Sequence, residues 1–185
     1  MHDSLAIPAL TEDLSRVLID ADTIDRRVDE LARKISSDYA DKKGTLLLVG
    51  VLKGSFIFTA DLARKLSVSH VVDFIALSSY QGDQSGNVRL LMDTRENMNN
   101  RHVLIIEDIL DSGNTLDYLI RSFKTRNPAS VKTAVLLDKP ERHCVPITID
   151  YLGFTIPDVW VVGYGLDYNE QYRTLPYIAE MYPQA

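Results

Sequence analysis

The chain is poor in several things, and each shortage narrows what it can be. It has one cysteine, Cys144, among 185 residues. No disulfide can therefore form within it, and a reducing compartment is implied. No apolar run approaches the roughly 20 residues of a membrane span, and the first residues lack the basic-then-apolar order of a secretory signal. Positive charge is scarce: 20 Lys and Arg face 26 Asp and Glu, a net charge of −6. That balance argues against a general nucleic-acid binder, whose footprint is basic. It does not argue against an anionic substrate held by a metal ion and a few local lysines. His2, His70, His102 and His143 show no metal-ligand spacing. The phosphate loop G-x-x-x-x-G-K-[ST] and the dinucleotide fingerprint G-x-G-x-x-G are both missing.

What is present reads as one soluble domain spanning 1–185, with no linker, internal repeat or low-complexity stretch. Ile24, Val28, Leu31 and Ile35 fall at helical spacing. Strand-like runs occupy 46–51, 71–77, 103–106, 131–137, 147–152 and 159–162, with helical patterns at 55–66 and 115–126 between them. Alternation of this kind predicts an α/β fold with a mostly parallel, twisted sheet flanked by helices. In such sheets ligands bind at the carboxyl ends of the strands. Lys53, Glu107, Asp108, Asp111 and Lys139 all come at such ends. Residues 79–100 exceed a normal connection and predict a mobile functional loop, with room for a small hairpin.

One stretch carries more information than the rest: Val103-Leu104-Ile105-Ile106-Glu107-Asp108-Ile109-Leu110-Asp111-Ser112-Gly113-Asn114-Thr115-Leu116. A buried strand leads to an acidic pair, then a third carboxylate, then a small-residue turn opening a helix with Thr115 in a capping position. Backbone N–H groups at a helix N-terminus suit phosphate, whereas carboxylates repel it unless a divalent cation intervenes or they grip sugar hydroxyls. Taken together, the stretch predicts a site for a phosphorylated sugar. Read singly, its parts are duller: a solvated strand end and an ordinary helix cap with a glycine turn.

The stretch resembles the 5-phosphoribosyl-1-pyrophosphate (PRPP) motif of the type I phosphoribosyltransferases, and its Glu-Asp pair resembles the hypoxanthine-guanine branch. Val51-Leu52-Lys53-Gly54, Ser79-Tyr80, Leu137-Asp138-Lys139-Pro140 and Val161-Val162-Gly163-Tyr164-Gly165-Leu166-Asp167-Tyr168-Asn169-Glu170, running on to Arg173, agree with it in order. The resemblance covers about residues 23–177. It implies a core at about 23–143 and a small hood, built from the N-terminal segment and about 144–185, that holds the base.

The resemblance also implies roles. Glu107 and Asp108 grip the ribose hydroxyls, directly or through a hydrated Mg²⁺. Asp111, Ser112, Gly113, Asn114 and Thr115 wrap the 5′-phosphate. Asp111 acts at purine N7 as general base or as electrostatic partner of its proton. Leu52, Lys53 and Gly54, with a cis peptide bond before the lysine, bind pyrophosphate together with Arg173. Asp167 holds a second Mg²⁺ and also belongs, with Lys139, Trp160 and Val161, to the purine-binding set. Lys139 donates to the purine 6-oxygen; an ammonium has only donors, so it suits a 6-oxo group and mismatches a 6-amino group. Trp160 stacks on the base, the Val161 backbone reads its edge, and Ser79-Tyr80 begin a loop that closes over the site.

The implied reaction transfers ribose 5-phosphate from PRPP to N9 of hypoxanthine or guanine, giving the nucleoside monophosphate and pyrophosphate. Purine salvage in the cytoplasm by a homodimer or homotetramer follows from the same resemblance, with neither nucleic acid nor membrane as partner. Two alternatives stand beside it. One is a non-catalytic regulator on this fold that needs a basic face. The other is a receiver-type signalling domain, which has no use for the 111–115 turn.

Overall fold

The structure, a computed structural model, describes residues 13–79 and 88–182. Its larger part is a six-stranded sheet of β2 (Leu46–Leu52), β3 (His70–Ser79), β4 (Val88–Met92), β5 (His102–Leu110), β6 (Ser130–Asp138) and β7 (Tyr151–Thr155). These run in the order β4-β3-β2-β5-β6-β7. All neighbours are parallel except β4, which pairs antiparallel to β3 up to Ser79 opposite Val88. The long connection thus does carry a hairpin. Tyr80 lies outside the described residues.

Helices cover both faces. α1 (Ala21–Tyr39) starts where the Asp20 carboxylate accepts from the Thr23 amide at 2.8 Å, a standard N-cap. With α2 (Phe56–Lys65) it buries Ile24, Val28, Leu31, Ile35, Phe58 and Leu62 against Leu48, Leu104, Ile106 and Leu136. α3 (Asn114–Lys124) covers the other face, placing Leu116, Leu119 and Phe123 on Leu47, Val49, Val103, Ile105 and Val135. β2 therefore sends Leu47 and Val49 one way and Leu48 the other. Period two is preserved inside a strand apolar on both faces. Each fully buried Leu or Phe of this kind contributes about 1.5–3 kcal/mol.

A smaller antiparallel sheet, β1 (Leu14–Ile19), β9 (Ile178–Met181) and β8 (Val161–Val162), is paired in the order β1-β9-β8. The Tyr164 hydroxyl fastens the chain after β8 to α2 by donating to Asp61 at 2.6 Å. Among the described residues no helix is long and apolar enough to cross a membrane.

Three local expectations fail. The strand predicted at 147–152 forms at Tyr151–Thr155 instead. It pairs with β6 in the large sheet, so this part of 144–185 is not in the smaller sheet. Pro146 has no amide to give a ladder, and Asp150 turns its carboxylate to the Thr133 amide at 2.9 Å. β5 does not stop at Ile106 but runs on to Leu110, opposite Asp138, so Glu107 and Asp108 sit within a paired strand. Finally, Thr115 is not the cap of α3. Gly113 is, at φ +86°, with no side-chain cap bond.

Candidate active site

The carboxyl end of β5 holds the acidic pair. Glu107 is buried, and its Oε2 has no hydrogen-bond partner. Burial pushes its carboxyl well above the usual range, and the adjacent Asp108 charge adds to the effect. Burial also raises Asp108, opposed by hydrogen bonds and by the Arg173 charge nearby. No lysine or arginine forms an ion pair with either carboxylate among the described residues. Gly54 comes close here: a Cβ at that position would collide with the Asp108 carboxylate. That contact explains the glycine after Lys53.

The turn after β5 wraps a recess of about 80 Å³ lined by Glu107, Asp111, Ser112, Gly113 and Thr115. Gly113 reaches its left-handed φ and opens α3, so the first amides of that helix have no intrahelical carbonyl to donate to. The Asn114 amide donates to Ser112 Oγ at 3.4 Å. Val145 and Ile147 press on Gly113 from outside, leaving no room for a side chain there. A 3₁₀ turn, Pro140–Arg142, follows β6. The Lys139 amide donates to the Leu110 carbonyl at 3.0 Å, which brings Lys139 beside the corner. Lys139 is buried, and its Nζ lies 3.6 Å from Asp158 Oδ1.

The residues Leu52, Lys53 and Gly54 end β2, and the Leu52–Lys53 peptide bond is cis. Gly165, at φ +107°, backs onto Gly54 so closely that a Cβ would meet the Gly54 carbonyl. Arg173 donates from Nη1 to the Gly165 carbonyl at 2.9 Å and pairs through Nη2 with Asp167 at 2.8 Å. Glu170 joins the two cations, 3.0 Å from Lys53 Nζ and 3.2 Å from Arg173 Nη2. Asp167 is committed on both oxygens, since Oδ2 accepts from the Glu170 amide at 2.9 Å.

The structure thus brings Glu107, Asp108, Asp111 through Thr115, Lys139, Lys53, Gly54, Asp167 and Arg173 to one end of the large sheet. Trp160 stands apart from the corner. Its ring is 69 % exposed and lines a separate recess with Tyr168, Met181 and Tyr182. Val161 is buried beside it in β8. Sequence reasoning missed Arg142 and Asp158, which connect Asp111 to Lys139. Arg142 Nε donates to Asp111 Oδ1 at 2.9 Å and lies 3.8 Å from Asp158 Oδ1. Only the three-residue spacing of Lys139 and Arg142 around a proline turn hinted at this. A wider recess of about 390 Å³, lined by Tyr39, Lys42, Leu46 and His102, lies at the amino ends of the strands, where parallel sheets do not hold their ligands.

A family model described as the phosphoribosyl transferase domain matches residues 20–169. A hypoxanthine phosphoribosyltransferase of Buchnera aphidicola (subsp. Schizaphis graminum) is 44 % identical over 168 residues, covering 90 % of this chain and 95 % of that protein. The hypoxanthine phosphoribosyltransferase of Escherichia coli (strain K12) is 46 % identical over 167 residues, covering 89 % and 94 %. The fold is also that of the Trypanosoma cruzi hypoxanthine phosphoribosyltransferase solved in complex with the product IMP. That match has a TM-score of 0.90 and 45 % identity, covering 95 % of this chain and 98 % of the other. The chain belongs to the phosphoribosyltransferase family, in its hypoxanthine and hypoxanthine-guanine branch.

Proposed function

We propose that the protein is a purine-salvage enzyme that transfers the 5-phosphoribosyl group of PRPP to N9 of hypoxanthine or guanine, releasing pyrophosphate and forming IMP or GMP. The observation that carries this reading is the acidic pair, Glu107 buried and Asp108 half-buried, running into a glycine-opened helix N-terminus. A site built so needs a ligand with hydroxyls or a cation at one end and a phosphate at the other. The IMP held by the Trypanosoma cruzi relative is a ligand of that description.

Glu107 and Asp108 fit Mg²⁺: they offer hard oxygen donors, one of them unpartnered, and burial without a cation is unfavourable for both. Bound there, Mg²⁺ neutralises charge on the sugar diphosphate. Asp167 fits a second Mg²⁺ less readily, because Arg173 and the Glu170 amide already engage its two oxygens.

The amides of residues 113–115 and the Ser112 and Thr115 hydroxyls orient the 5′-phosphate. Lys53 and Arg173 neutralise the leaving pyrophosphate, and Arg173 supplies a fixed fork of donors. Asp111 accepts or balances the N7 proton while Lys139 donates to the 6-oxygen. Trp160 closes on the base by turning its open ring toward it. Inversion at the anomeric carbon passes through positive charge on the ribose ring, which the loop beginning at Ser79-Tyr80 shields from water. Orientation and preorganised charge carry the catalysis. The enzyme works in the cytoplasm as a homodimer or homotetramer built on the face near Lys53.

The test is an assay with PRPP, Mg²⁺ and each of hypoxanthine, guanine, xanthine and adenine. Wild type is run beside Asp111→Asn and Lys139→Ala. IMP or GMP formation is expected, with the lysine variant losing preference for 6-oxo over 6-amino bases while keeping its KM for PRPP. Absence of any nucleotide product from the wild type would end the proposal.

A further inference from the structure

Four charged side chains of alternating sign cross the mouth of the site. Arg142 Nε donates to Asp111 Oδ1 at 2.9 Å and lies 3.8 Å from Asp158 Oδ1, and that same oxygen is 3.6 Å from Lys139 Nζ. They come from three places in the chain: the end of β5, the 3₁₀ turn after β6, and the segment between β7 and β8. Building on the proposed function, we infer that Asp158 and Arg142 are positioning residues that couple the group acting at purine N7 to the group reading the 6-oxygen.

The argument starts from Lys139. Its ammonium sits on a flexible four-carbon stem. Asp158 is the only carboxylate within ion-pair distance of it among the described residues. Asp158 therefore gives the buried amine a direction. Without it, Lys139 would have no ion-pair partner among the described residues, and Arg142 would be left to Asp111 alone. Arg142 serves the other end. It takes one oxygen of Asp111, while Oδ2 accepts no hydrogen bond from the described residues and stays available to a ligand proton. Asp158 in turn shares Arg142 and keeps that clamp from closing wholly on Asp111. The chain thus fixes the spacing of a donor for O6 and an acceptor for N7–H, two adjacent atoms on one edge of a 6-oxopurine. Its members are 42–52 % exposed apart from Lys139. The chain is accordingly a device for orientation and contributes little to stability.

The experiment measures KM and kcat for hypoxanthine and for PRPP in Asp158→Asn, Arg142→Ala, the double variant, and the conservative Asp158→Glu and Arg142→Lys. Thermal melting checks that each folds. Misplacing a reacting group by about 1 Å costs up to ~100-fold. Each single variant is therefore expected to lose about 10–30-fold in kcat/KM for hypoxanthine, mostly in KM, with KM for PRPP within about twofold of wild type. The double variant should lose no more than about threefold beyond the worse single one, because the second substitution breaks a chain already broken. Arg142→Lys should recover part of the loss. Unchanged constants overturn the inference, as does equal movement of both KM values or effects that multiply in the double variant. A wild type that makes no IMP sinks the functional reading and this inference together. An active wild type with indifferent variants sinks the inference alone.

Discussion

The β5 corner and the 163–173 segment of the smaller lobe are both rich in charge, yet they hold it in opposite ways. At the corner the backbone is regular strand, and the electrostatics are unfavourable. Glu107 is buried and Asp108 half-buried beside it, one oxygen is unpartnered, and both groups are pushed up by desolvation. In the 163–173 segment the charges are paired, Arg173 with Asp167 and Glu170, and Glu170 with Lys53, although the buried Arg173 Nε has no hydrogen-bond partner among the described residues. There the backbone carries the cost instead. Tyr164, Asn169, Glu170 and Tyr172 all take left-handed φ between 49° and 70°, unusual for residues with a side chain. Glu107 and Asp108 have no counter-charge bonded to them without a ligand, whereas the loop's charges are already paired with one another and must be parted by one. Each region gives a way to test that contrast.

The largest effect belongs to the corner. Glu107→Gln combined with Asp108→Asn should reduce transfer on the order of 10²–10³-fold, since it removes charge that must meet developing positive charge and metal. The single variant Glu107→Gln should at the same time raise the melting temperature of the metal-free protein at pH 7. Its amide has a proton to donate to Asp108, and the more strongly desolvated of the two carboxyls no longer has to ionise. A gain of ~1–2 kcal/mol corresponds to about 2–6 °C in a chain of this size. The sign with pH follows from linkage. A carboxyl raised in the folded state contributes fully below its unfolded value, near 4.5, and loses that contribution as pH rises through the folded value. The advantage of the variant should therefore grow with pH above about 4.5 and vanish below it. A variant that melts below wild type at every pH would show the corner to be satisfied as it stands.

The same contrast explains what could be read from residues alone. The apolar faces of α1, β2 and α3 were legible because period and burial coincide, and the acidic pair with its glycine turn because the order of residue types is unusual. The end of β5 was not. The apolar signal stops at Ile106, while the hydrogen-bond ladder to β6 continues past two carboxylates, and only a partner strand distant in sequence decides that. β1 and β9 escaped notice because each is short and they pair with one another across 159–167 residues. Arg142 carried only the weak signal of its spacing from Lys139 and Asp158 none: each is an ordinary charged residue until β6 and β7 end side by side. Gly113 took the capping role from Thr115 because a left-handed turn, tight against Val145, has no space for a Cβ.

A middle-sized effect tests whether the loop is truly held to the corner. Gly165→Ala puts a methyl into the Gly54 carbonyl at φ +107°, where an L side chain is strained in any case. A cost of ~1–3 kcal/mol should lower the melting temperature by about 5 °C. Because Gly54 leans on Asp108 and carries Lys53 with it, KM for PRPP should rise about tenfold while KM for hypoxanthine rises less. Equal rises would mean that the two regions are not joined through this backbone contact.

The smallest effect is the most discriminating, because it runs toward tighter binding. Glu170 occupies both cations proposed for pyrophosphate, and its carboxyl is held below the usual range by Lys53 first and Arg173 second. A lowered carboxyl stabilises above its unfolded value and loses that as pH falls. With both Lys53 and Glu170 65 % exposed, solvent screens most of it, so Glu170→Gln should leave the melting temperature near that of wild type. What changes is competition: the incoming anion no longer has to displace a carboxylate. Calorimetric titration with magnesium pyrophosphate should show about two- to fivefold tighter binding at low salt, narrowing at 0.5 M, where the Debye length is only a few ångströms. Weaker binding by the variant would mean that Glu170 organises Lys53 and Arg173 for the ligand rather than competing with it, and the loop would then resemble the corner after all.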